Sequence, residues 1–133
     1  MMYTNNGYNQ YREQSVLTAG PGELVLMLYD GCLKQIRLAR LAINENMAPE
    51  RNNALQKAQE IVSELINSLD FDYELSDSLY ALYDYFLNEL ITANVENSTN
   101  RLDSIESLLV ELRDTWEQMV KQQKSGSGSA ASL

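Results

Sequence analysis

The sequence predicts an all-α protein, an antiparallel up-and-down four-helix bundle preceded by a short N-terminal arm. Three observations carry this prediction. Apolar residues recur at steps of three and four along four segments, and no strand-type alternation competes with them. Turn-forming residues separate those segments at short intervals, which makes consecutive helices antiparallel neighbours. The chain has 133 residues, 44% of them hydrophobic and only two of them proline, which suits one domain burying roughly two-thirds of its unfolded surface.

Residues 1–19 read as an arm. They are polar but carry Tyr3, Tyr8 and Tyr11, and they lack the apolar content to hold themselves in place. The bundle is expected over 20–122. Its first helix spans about 21–44, with Gly20 as a weak N-cap, Pro21 at the first helical position and Glu23 placed to reach back to the cap. "NENMAPE" is a turn, and Pro49 opens a second helix over about 49–69 with Leu55, Ala58, Ile61, Val62, Leu65 and Leu69 on one face. "DFDYELS" connects to a third helix over about 77–94, for which Ser76 is the expected N-cap. "VENSTN" leads to the fourth, over about 100–121. There Leu102, Ile105, Leu109, Leu112, Trp116 and Met119 form a narrow seam of the kind bundle helices bury, so Trp116 reads as a core residue. "SGSGSAASL", within 123–133, has the composition of a flexible linker.

The first and third helices carry more apolar residues than one buried face needs. Leu24 to Tyr29 are six consecutive apolar or aromatic residues. At 100° per residue, Leu24, Val25, Leu28, Cys32, Ile36, Ala39 and Ile43 share the core side of the first helix. Leu26 and Leu33 then fall nearly opposite, with Tyr29 beside them. On the third helix, Leu79, Tyr83, Phe86 and Leu90 form the centre. Tyr80, Leu87 and Ile91 widen it on one flank and Leu82 on the other, while Tyr85 points away. Wide bundle faces and isolated exposed apolar residues are ordinary. A contiguous surplus instead marks an interaction site, and an amphipathic partner helix would suit such a groove.

Composition excludes most chemistry. The chain has no histidine, which removes the commonest general base and zinc ligand, and its single cysteine, Cys32, cannot form an internal disulfide or a thiolate cluster. It reads as a small buried hydrophobe. No phosphate-binding glycine loop is present, and the cluster Asp70, Asp72, Glu74 and Asp77 lacks the glycine and glutamate that a calcium loop requires. An enzyme is not expected, and neither is a metal or cofactor. The net charge of −9 disfavours nucleic acid and anionic membrane surfaces. No signal peptide or membrane-length apolar run appears, so the expected compartment is the cytoplasm and Asn97-Ser98-Thr99 carries no meaning as a glycosylation site.

Several stretches together resemble the FliS family, the flagellin-specific export chaperones. They are "PGELVLMLYDGCLKQIRLA", "KAQEIVSELINSLD", "LYDYFLNELITAN" and "LLVELRDTWEQ", together with the lead-in formed by Tyr8, Tyr11 and Ser15-Val16. The likeness covers about 8–121 in the family's order. Gly20 departs from the family's Ser or Thr at that position, and "DFDYELS" differs in detail from the family's turn. The resemblance implies a cytoplasmic helical bundle that binds the disordered C-terminal segment of unassembled flagellin, one to one, keeping it from polymerising early. It further implies delivery to the flagellar export gate protein, and an arm able to lie over the binding surface before the client arrives. On this reading the contact residues are Tyr8 and Tyr11 on the arm, Leu26, Tyr29 and Leu33 on the first helix, and Tyr80, Leu87 and Ile91 on the third. The rival reading is a helical homodimer whose shared interface covers the same apolar surplus, with no client.

Overall fold

The computed structural model describes the backbone of residues 21–132 and the side chains of residues 22–122. It contains four helices, α1 (Pro21–Asn44), α2 (Ala48–Asn67), α3 (Leu75–Glu96) and α4 (Thr99–Ser132), and no strand among the described residues. The helix α1 packs on α2 and α4, and α3 packs on the same two, so α1 and α3 stand diagonally across the bundle. Polar pairs fix the antiparallel sense of α1 and α4. Asp30 meets Arg113, Arg37 meets Glu106 and Arg40 meets Asp103, so numbers rise on one helix as they fall on the other.

Local chemistry sets the turns. Asn46 and Asn97 both adopt positive φ, 57° and 54°. Asparagine tolerates the left-handed region because its short amide bonds locally. The N–H of Asn97 reaches Ala93 O and closes α3. Pro49 sits in the first turn of α2, where its missing N–H costs nothing. The capping expected of Ser76 is not seen. The helix begins two residues earlier, at Leu75 after Glu74, and Ser76 lies buried within its first turn. Its hydroxyl donates to Asp70 O at 2.6 Å instead, which ties the connecting loop to the helix. The Gly20 cap falls outside the described residues.

The backbone of α4 runs on to Ser132, through the stretch whose composition reads as a flexible linker.

The core is one cluster drawn from all four helices, with Leu28, Cys32 and Ile36 meeting Leu55, Leu65, Phe86, Leu90, Ile105 and Leu109. Burial pushes the Cys32 thiol up to about 12, so it stays protonated and inert. A Cβ at Gly31 would stand 3.4 Å from Ile61 Cδ1, about van der Waals contact, so α1 passes α2 closely at this point. Across the diagonal, the Tyr29 and Tyr83 hydroxyls share a hydrogen bond of 2.5 Å. Desolvation drives both phenols above their ordinary range and keeps them neutral. Trp116 is half-buried against this cluster, edge-on to Tyr29 with centroids 5.9 Å apart. Its Nε1–H donates to Gly22 O at 3.0 Å, fastening the end of the bundle to the first turn of α1. Met119, expected on the same seam, is exposed, and Val120 is buried in its place.

Candidate partner-binding surface

The residues expected to form one groove separate in the structure. Tyr8 and Tyr11 lie outside the described residues. Tyr29 is fully buried and Leu33 nearly so, both within the core cluster, so neither is an open contact surface. The reason is the direction from which α4 approaches α1. Arg37 and Arg40 flank Leu33 around the helix, and both reach α4 at Glu106. Leu33 between them is therefore covered by α4, and Tyr29 points inward to Tyr83 and Trp116. Leu26, on the same flank one turn earlier, is half-buried.

Tyr80, Leu87 and Ile91 occupy the flank of α3 that faces α2. The neighbouring Asn94 marks this direction by accepting a hydrogen bond from Arg51 of α2 at 2.9 Å. Tyr80 and Ile91 are exposed, and Leu87 is half-buried against the core. The two predicted sets thus lie on diagonal helices and face different seams. They do not meet.

The opposite flank of α3, toward α4, was not singled out in the sequence. Leu75, Leu82 and Tyr85 line it, and Leu108 and Met119 of α4 lie on the facing side. All but Leu82 are exposed. Farther along the same seam, Arg101 closes it with ion pairs to Glu89 at 2.7 Å and Glu96 at 2.8 Å. This seam is charged at one end and apolar along the rest. The spacing of 75, 82 and 85 at seven and three residues is the sequence signal that could have found it.

The α1–α4 seam is built differently. Arg113 bonds Asp30 at 2.7 Å, Arg37 bonds Glu106 at 2.7 Å, and Arg40 bonds both Asp103 and Glu106. Partial burial works against charge on Glu106, but Arg37 and Arg40 together outweigh it and hold the carboxyl below its usual range. One edge of the bundle is fastened by charge, then, while both flanks of α3 carry apolar side chains open to solvent. No group of three potential metal ligands occurs among the described residues, and no described helix is long and apolar enough to cross a membrane.

These features define an all-helical bundle with open apolar flanks on one helix. The profile of the family described as "Flagellar protein FliS" matches residues 4–123. The chain is 44% identical over 133 residues to the flagellar secretion chaperone FliS of Bacillus subtilis (strain 168), covering 98% of this chain and 100% of that protein. It is 31% identical to the FliS of Salmonella typhimurium, over 89% of this chain and 93% of the relative. Its fold is similar to a crystal structure of a flagellar chaperone from bacteria, with a TM-score of 0.74 and 24% identity over 88% of this chain and 97% of the other. The chain belongs to the FliS family, which is a family of flagellar export chaperones and not of enzymes.

Proposed function

We propose that this protein holds the disordered C-terminal segment of flagellin in the cytoplasm, one to one, and presents it to the flagellar export gate. The observation that supports this best is the pair of open apolar flanks on α3, with Tyr80 and Ile91 toward α2 and Leu75 and Tyr85 toward α4. A folded partner would cover one face. A disordered segment can wrap both flanks of a single helix, forming short helices as it docks. Ordering that segment consumes several kcal/mol, so the contact must be large, above about 1,000 Å², and led by apolar anchors. Release on this reading falls to the export machinery or to competition. Tyr8 and Tyr11, three residues apart, would share a face in one helical turn and suit a reversible cover over the free surface.

Titration of the purified protein with a flagellin C-terminal peptide tests this. Calorimetry should give a saturable one-to-one isotherm at micromolar concentrations, and circular dichroism a gain in helix beyond the sum of the parts. Exchanging Tyr80 and Ile91, or Leu75 and Tyr85, for serine should weaken binding while the protein still melts normally. No heat and no spectral change across the titration would remove the reading. Sedimentation of the free protein addresses the homodimer, since a concentration-independent monomer eliminates it.

A further inference from the structure

At the end of the bundle where α1 begins, a cavity of about 480 Å³ opens between α1, the α2–α3 corner and the last turns of α4. Its size falls among pockets that receive ligands, roughly 300–1,000 Å³. Val25, Leu79, Tyr83, Trp116 and Val120 form its inner wall. The polar groups on this wall are already engaged. Tyr83 bonds Tyr29, Trp116 donates to Gly22 O, and Ser76 donates to Asp70 O. The inner wall therefore offers shape and apolar surface, with polar side chains confined to Asp70 and Tyr73 toward the corner, which suits a bulky hydrocarbon or aromatic side chain entering from the rim.

The mouth has a different character. Phe71, Tyr73 and Leu75 stand at the corner with 57%, 67% and 58% of their surface exposed, and Phe71 stacks edge-on with Tyr80 at 6.1 Å. Asp70, Asp72, Glu74 and Asp77 are interleaved with them, and no lysine or arginine occurs from Asp70 to Glu96. The arginines of the α1–α4 seam are tied to carboxylates of their own fold and do not offset this charge. A segment approaching the cavity meets negative potential and exposed aromatic faces, both of which favour cationic side chains and repel acidic ones.

We infer that this cavity is a socket for one bulky apolar side chain carried on a lysine- or arginine-rich segment of a second protein. The socket adjoins the α3–α4 flank, with which it shares Leu75 and Met119, but is distinguished from it by the enclosed inner wall, and it is tested without flagellin. Trp116 is the sole tryptophan and lines the cavity, so its emission reports occupancy directly. The full chain is titrated with three twelve-residue peptides: one with a central phenylalanine among lysines, one with alanine at the centre, and one with glutamate for each lysine. The first should shift Trp116 emission saturably, and calorimetry should give the same affinity. The alanine peptide should bind at least about tenfold more weakly. The glutamate peptide should give no shift. Raising salt from ~50 to ~300 mM should weaken the first peptide several-fold, as the rim charges are screened. Val25→Phe, which fills the socket from its wall, should abolish the shift while the melt shows a folded protein. If that variant fails to fold, the peptide comparison stands alone, because it leaves the protein untouched. Equal binding of the lysine and glutamate peptides, or of the phenylalanine and alanine peptides, overturns the inference. So does an emission already matching that of Val25→Phe and moved by no peptide, which would mean that the chain's own residues fill the cavity.

Discussion

Replacing Trp116 with alanine should lower stability by about 3 kcal/mol and the thermal midpoint by roughly 10 °C. The indole does two things that alanine cannot. Its ring packs edge-on against Tyr29 at 89°, and its N–H occupies the Gly22 carbonyl in the first turn of α1. Trp116→Phe separates the two effects, because phenylalanine keeps an aromatic ring but has no donor. It should recover most of the loss and leave a deficit of about 1 kcal/mol, the usual net worth of one hydrogen bond. Denaturant titrations followed by far-ultraviolet dichroism measure both variants. An unchanged midpoint for Trp116→Ala would move this residue from the core to the contact surface.

The second large effect lies across the bundle's diagonal. Tyr29 and Tyr83 are both almost fully buried, and each hydroxyl is the other's partner at 2.5 Å. Tyr29→Phe leaves the Tyr83 oxygen buried without its partner, and Tyr83→Phe does the converse. Each single change should cost about 1–3 kcal/mol, the desolvation cost of an unsatisfied group. The double variant removes both polar atoms together and should cost less than the sum of the two, approaching either single. Additive losses in the cycle would show that the hydroxyls are not energetically coupled. The pair also explains why α1 tolerates a tyrosine pointing into the core, since the phenol there has a fixed partner on the diagonal helix.

Helical periodicity made the class of fold legible, along with most of the inward faces of α2, α3 and α4. It could not say which flank of α1 a neighbour covers. A helical wheel ranks residues by angle from the centre of an apolar arc, and Tyr29 and Leu33 lie off that centre. In the bundle, α4 approaches α1 from that side, and the buried arc extends to meet it. A signal was present in the charges. Asp30, Arg37 and Arg40 find opposite charges on α4 at Arg113, Glu106 and Asp103, in reversed order, as antiparallel pairing demands. Ser76 illustrates a different limit. Serine before an apolar run favours an N-cap, but here the same hydroxyl satisfies a loop carbonyl six residues back, a contact set by the path of the corner. On α3 alone Leu82 reads as a lone residue on the other flank and Tyr85 as pointing away, and nothing joins them to Leu75 as one surface. They acquire meaning only beside Leu108 and Met119 of α4.

The fastening of α1 to α4 also bears on the order of events as the chain folds. The bond from Arg40 to Asp103 joins residues 63 positions apart, and that from Trp116 to Gly22 joins residues 94 apart. Helices adjacent in the chain meet after short excursions, whereas the first and last must close nearly the whole polypeptide into a ring. The entropy of that closure is spent before its contacts repay it, which places it late on the route to the native state. Interactions that form after the barrier set how fast a protein comes apart, not how fast it assembles. Arg40→Met should accordingly raise the unfolding rate at every denaturant concentration in stopped-flow experiments and leave refolding nearly unchanged. A slowed refolding limb would instead put the closure in the nucleus. On the expected route this edge acts as a clasp, engaged last, that sets the lifetime of the folded chaperone.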